Sequence, residues 1–139
     1  IFFMINNNLN LYQLNRQISL FLMGWGVSSM ILGATLFFFD NQFLRGISIQ
    51  FLLWGLIDFI LGVIPIARNK ISQRKKLYKI LFINSFLDII YIIVALGLIF
   101  EFIAEGESII GHGFGVIIQA LFLLIFDTYY GFRAYKLQE

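Results

Sequence analysis

Asp58, Asp88 and Asp127 lie inside stretches built otherwise from Ile, Leu, Phe, Val, Gly and a few small polar residues. Apart from Lys79 and Arg133 at their ends, no Lys or Arg lies within those stretches to pair with them. An Asp at the centre of a membrane helix costs roughly 2.5–3.5 kcal/mol on insertion scales, so such residues face a bundle interior or a wet cavity. Three carboxylates without a cation cannot all ionise in a low-dielectric site. Three chemistries resolve the conflict. Some carboxyls hold protons, a proton or metal ion is shared among them, or a cationic ligand such as an amine supplies the missing charge.

Their neighbours extend the pattern. Gln50, Trp54, Asp58 and Gly62 recur every four residues and form one stripe on a helix, and Gln119, Asp127 and Gly131 form a matching one. Ser29 shares a face with Gly26 and Gly33, and Asn84 sits four residues from Asp88. If these faces converge, the molecule has a polar centre of Asp58, Asp88, Asp127, Asn84, Gln50, Gln119 and Ser29. Trp25 and Trp54, both far from the membrane interfaces where Trp usually anchors, pack in the bundle or line a pocket for a cation. The competing reading is structural: Asp, Asn, Gln and Ser also hydrogen-bond membrane helices together, at roughly 0.6 kcal/mol each. His112, the single histidine, lies near Glu105 and Glu107. His and Glu can bind a metal, but their spacing fits no standard site, and the plain alternative is an exposed helix start.

These residues are carried by four apolar stretches, at about 17–39, 46–67, 79–102 and 113–135. Each reaches the ~20 residues that cross a bilayer's hydrocarbon, and each is apolar on nearly all faces rather than on one. Nothing alternates with the period of two that a membrane barrel requires. The chain of 139 residues is 60% hydrophobic and 13% charged, against ~25% charged in soluble domains. Its mean hydropathy is +0.86. The expected fold is all-α: one membrane domain over residues 1–139, an up-down-up-down bundle with short loops at 40–45, 68–78 and 103–112. The first stretch is too long for the apolar core of a signal peptide, and no small-residue cleavage site follows it. Residues 4–15 carry Leu9, Leu11 and Leu14 among polar residues, which suits either a short helix lying on the membrane surface or a loose terminus.

Nine of the ten basic residues flank one side: Arg16, Arg68, Lys70, Arg74, Lys75, Lys76, Lys79, Arg133 and Lys136. Arg45 lies on the other, with Asp40, Glu101, Glu105 and Glu107. The positive-inside rule then puts both termini and the 68–79 segment in the cytoplasm of a cell-membrane protein, with that segment in contact with lipid headgroups. A net charge of +2 argues against nucleic acid as a partner, and zero Cys excludes thiol chemistry and thiolate metal sites. One histidine rules out a bis-histidine haem within one chain, and no residue calls for another cofactor.

The stretches also resemble one another. At an offset of 69, Gly46, Gln50, Asp58 and Gly62 fall on Gly115, Gln119, Asp127 and Gly131, as if two hairpins were duplicated. Residues 25–33 and 54–62 share Trp, Gly, Ile, Leu and Gly. These two helices run in opposite directions, so the relation is inverted, and Ser29 and Asp58 are expected at similar depth. Repeats of both kinds occur in transporters, with sites at the repeat interface.

The segments WGLID (54–58), HGFG (112–115) and QALFLLIFD (119–127) resemble a family of small, uncharacterised bacterial membrane proteins with four helices. In that family a Trp and an Asp or Asn recur within the helices, and a Gly-rich turn precedes a last helix bearing Gln and Asp. The resemblance covers most of the chain and implies the four-helix topology; it implies no activity. Function is therefore expected from the carboxylates: binding or passing a proton, a cation or a small polar or amine-bearing molecule. A homo-oligomer is expected if the chain transports, since four helices leave little room for a pathway. The alternative is an accessory or assembly subunit of a larger membrane complex. An enzyme ranks last, because no nucleophile, acid–base pair or metal cage stands in catalytic spacing.

Overall fold

In the computed structural model, which describes residues 2–137 and the side chains of 10–137, the chain forms four helices. They are α1 (Phe2–Phe37), α2 (Gln42–Ala67), α3 (Arg74–Ile99) and α4 (Glu107–Lys136). Each is long and apolar enough to cross a membrane. At 1.5 Å per residue even the 26-residue helices reach about 39 Å, beyond the ~30 Å of hydrocarbon. This is the architecture of a multi-pass membrane protein.

The short loops set the pairing. α1 packs along α2, and α3 along α4, as antiparallel hairpins; α2 and α4 pack against each other in parallel. The turns have local causes. The Asn41 side chain accepts the Leu44 N–H at 3.0 Å and caps α2. At the far end of α2, Asn69 takes a left-handed φ of 50°. Its N–H bonds to Ile66 O at 3.1 Å and the Lys70 N–H to Pro65 O at 3.1 Å. This pair of bonds is a Schellman turn with Asn in the place usually taken by Gly.

Residues 4–15 do not form a separate element. They continue α1 without a break, since no Gly or Pro occurs before Gly24 to interrupt it. Leu14 and Ile18 are buried with Leu77, Leu81, Phe126, Tyr130 and Ala134, and Leu11 packs against that cluster. These leucines therefore serve the bundle core rather than a membrane surface. The side chain of Leu9 lies outside the described residues. Tyr130 is also in this core, whereas its neighbour Tyr129 is exposed.

The α1–α2 hairpin is set by close backbone approach. A Cβ on Gly26 would lie 2.5 Å from Gly55 O, one on Gly33 2.9 Å from Ser48 O, and one on Gly62 2.5 Å from Ser19 O. The residue numbers of each facing pair add to 81, which is a single antiparallel register. An offset of 29 relates the two helices and turns the Gly33–Ser48 contact into the Gly62–Ser19 contact, with Gly26 and Gly55 facing each other at the centre. The inverted sequence match is thus matched by the contacts. It also extends further than residues 25–33 and 54–62, because Ile18-Ser19 falls on Ile47-Ser48. The Ser48 hydroxyl donates to Gly33 O at 2.6 Å and ties the hairpin at this point.

One expectation is corrected by this register. Ser29 lies level with Leu52, and Asp58 level with Met23, so Ser29 and Asp58 differ in depth by about six residues, or ~9 Å. The two-fold centre lies at Gly26 and Gly55, so positions three residues beyond it in each helix move to opposite sides.

Substituting Gly26 by Leu forces the helices apart and is expected to destabilise the protein by about 1–3 kcal/mol. Gly24→Leu, where an added Cβ meets nothing within 4 Å, is expected to be close to neutral. Reversible unfolding of both variants in detergent checks the contrast; equal effects would mean that the Gly26–Gly55 contact does not set the hairpin.

Candidate functional site

Polar groups in an apolar bundle must find partners inside it, because lipid offers none. Along α4 they fall into three layers. Nearest the end bearing Asp40 and Glu101, the Trp54 indole N–H donates to Gln50 Oε1 at 3.1 Å, and Gln50 Nε2 meets His112 Nδ1 at 2.9 Å. The Trp N–H is a donor only, so it fixes the amide's oxygen on its own side and leaves the NH2 facing the histidine. His112 Nδ1 then accepts, which places the proton of a neutral ring on Nε2. The Tyr91 ring of α3 meets Trp54 edge-on at 5.2 Å. His112 is thus joined to α2, and among the described residues no three of His, Asp and Glu gather so as to hold a metal. Glu105 and Glu107 are exposed.

Two turns further along α4, Gln119 is fully buried. It accepts the Trp25 indole N–H at 2.8 Å and donates to Ser29 Oγ at 3.1 Å, linking α4 to α1. Trp25 stacks on Phe122 with ring centroids 3.7 Å apart. Both glutamines at the 69-residue offset therefore receive a Trp N–H, Gln50 from its own helix and Gln119 from α1.

The third layer holds the aspartates. Asp58, Asp88 and Asp127 are 2%, 2% and 5% exposed. Helices α2, α3 and α4 bring them together: the Asp88 and Asp127 carboxyls meet at hydrogen-bonding range, and Asp58 lies within electrostatic range of both. A carboxylate only accepts, so an Asp88–Asp127 hydrogen bond needs a proton on one of the two. Asp58 Oδ2 and Asp88 Oδ2 receive no N–H or O–H from the described residues. Nearby, the Ser85 and Thr128 hydroxyls bond at 3.0 Å and join α3 to α4. Asn84 is half-buried and makes no hydrogen bond among the described residues.

Asp88 and Asp127 are therefore paired, with Asp58 within electrostatic range, and the other residues of the anticipated polar centre are placed elsewhere. Gln119, Ser29 and Trp25 form one satisfied set, and Gln50 and Trp54 another that includes His112. Gln119 and Asp127 are eight residues apart, about 12 Å along α4, too far to share one small ligand. The roles of His112 as Gln50's partner and of Ser85 and Thr128 as a cross-helix pair are not visible in the sequence. The four-residue spacing of Gln50 and Trp54 does announce their bond.

The glycines at the 69-residue offset occupy corresponding contacts. A Cβ on Gly46 would strike the α4 backbone at Ser108 O, 2.5 Å away, and one on Gly115 would lie 2.6 Å from Gln50 Cβ. Gly111 faces the Phe43 backbone, so the Gly111–Gly115 pair is used against α2 of the same chain. Gly62 faces α1 and Gly131 faces Phe82 of α3.

The profile of DUF6992, a family of unknown function, matches residues 21–128. The chain belongs to this family. The match takes in the three aspartates, both tryptophans, both glutamines and His112. No curated protein and no solved structure matches the chain.

A double-mutant cycle between Trp25→Phe and Gln119→Leu tests the middle layer. Coupling of about 0.6–1.7 kcal/mol is expected, the range measured for hydrogen bonds between membrane helices. Additive losses in unfolding free energy would show that the bond contributes nothing.

Proposed function

We propose that Asp58, Asp88 and Asp127 form a proton-binding site within the membrane, at which a small monovalent or amine cation can replace the proton. The observation that carries this reading is the buried Asp88–Asp127 pair with a buried Asp58 in electrostatic range, from three helices, with no Lys or Arg at residues 46–67 or 80–132. A purely structural set would be expected to close its hydrogen bonds, as Gln119 does with Trp25 and Ser29. The aspartate layer leaves two carboxyl oxygens without a donor. A bound proton or cation offsets the like charges that burial would otherwise make prohibitive.

On this reading the chain is a non-enzymatic member of the cell membrane with both termini and the α2–α3 turn in the cytoplasm. That orientation rests on the nine basic residues at one end. It works as a homo-oligomer or within a larger membrane complex, since the narrow bundle has room for a binding site but little for a path across the bilayer. The second reading, an accessory subunit whose polar residues only join helices, is favoured by the closed Trp25–Gln119–Ser29 set.

Infrared spectroscopy of the protein in lipid at neutral pH is expected to show a protonated carboxyl band. Asp88→Asn and Asp127→Asn should each shift and weaken it, because the hydrogen bond between the two carboxyls is lost and one carboxyl is removed. In vesicles under an imposed potential, a trapped pH dye should report proton flux several-fold above that of vesicles holding Asp88→Asn. If the native chain shows neither the band nor the flux, and the Asn variants change only unfolding, the accessory role stands instead.

A further inference from the structure

The end of the bundle that carries the basic residues holds a cleft of about 230 Å3 between α1 and the end of α2. At ~30 Å3 per water this is room for about seven waters, enough for a phosphate and part of a glycerol. Arg16, Asn69 and Lys70 supply its polar side, and Leu20, Met23 and Ile66 its apolar side. No Asp or Glu lines it. The side chains of Arg16 and Lys70 make no ion pair or hydrogen bond among the described residues.

The cleft is built by two features of the turn after α2. The Schellman turn at Asn69 reverses the chain and brings Lys70 back over the helix end. Asn15 of α1, itself buried, then holds the following segment: its Nδ2 donates to Ser72 O at 3.1 Å and its Oδ1 accepts the Ser72 N–H at 2.9 Å. The wall bearing Lys70 is thereby fixed opposite Arg16. Along α1, Leu20 and Met23 lie about 6 and 10 Å deeper than Arg16. Two cations therefore stand at the end of the span, and an apolar wall descends from them toward its middle.

We propose that this cleft is a site for an anionic phospholipid, with the headgroup phosphate between Arg16 and Lys70 and the first part of an acyl chain along Leu20 and Met23. The ligand chemistry is a phosphate ester. A lipid is favoured over a soluble phosphate because half of the lining is apolar and continues into the membrane-facing surface, where Leu20 is 48% and Ile66 45% exposed. The site is separate from the aspartate layer, and its test is independent of proton binding.

The test is native mass spectrometry of the full chain in mild detergent, titrated with a phosphatidylglycerol, a phosphatidylcholine or glycerol phosphate. Phosphatidylglycerol should be retained in preference to phosphatidylcholine. The pair Arg16→Gln and Lys70→Gln should weaken its binding about ten- to thirtyfold, from the loss of two basic groups near a membrane surface. The pair Lys75→Gln and Lys76→Gln removes the same charge from exposed positions outside the cleft and should change binding less than about twofold. Asn15→Ala keeps both cations but frees the Ser72 segment, and should also weaken retention. The unfolding temperature without lipid should be the same for the native chain and the Arg16/Lys70 variant, whose lost side chains make no bond among the described residues. Equal losses from the two double variants would overturn the proposal in favour of diffuse attraction to the basic segment. Displacement of the lipid by glycerol phosphate at equal concentration would overturn the lipid as the ligand.

Discussion

The bundle depends on one constraint: in hydrocarbon a polar group has only the protein to bond with. Outside the aspartate layer, most buried polar side chains are accordingly met by another helix, and each such meeting fixes a position. Gln119 joins α4 to α1, Gln50 and His112 join α2 to α4, Ser48 joins α2 to α1, and Ser85 with Thr128 joins α3 to α4. Packing of apolar side chains alone specifies position weakly where lipid is as apolar as Leu. The few polar residues thus supply the register that the many Ile and Phe residues leave open.

The glycines supply the distances. Where Gly26 meets Gly55, and Gly46 meets the α4 backbone at Ser108, the helices touch main chain to main chain. Close approach on both sides of α2 makes it a shared central wall, with α4 against one flank and α1 against another. Asp58 on that wall is consequently carried toward α3 and α4 rather than toward lipid. The proximity of three like-charged groups is imposed by contacts made elsewhere in the bundle, so the helices can hold an arrangement that the carboxyls alone would oppose.

Much of this was legible in the sequence. Long apolar stretches and short loops give four helices, while their ends, set by the Asn41 cap and the turn at Asn69, came from the structure. That Asp58, Asp88 and Asp127 face the bundle interior follows from the cost of a carboxyl in lipid, but that they lie at one depth does not. The separation of Gln50, Gln119 and Ser29 from them was not legible, because depth depends on register and register was fixed by Gly26 and Gly55. Spacing along one helix says which residues share a face; it does not say how far two antiparallel helices have slid past each other. The behaviour of residues 4–15 was missed for a related reason. Their polar composition hides that Leu14 and Ile18 meet Leu77 and Phe126, a contact that exists only once α1 is placed across the bundle from α3.

The facing pairs of the first hairpin carry one more implication. A surface in which Gly26 meets Gly55, and each remaining Gly meets a Ser of the other helix, presents the same outline from either side. One helix of this sequence pattern, Ile-Ser at its start, Trp-Gly at its centre and Ile-Leu-Gly at its end, is complementary to an upside-down copy of itself. Such a segment carries lock and key together, so two separate short chains inserted in opposite senses would already have the contact that a hairpin later makes permanent by joining them.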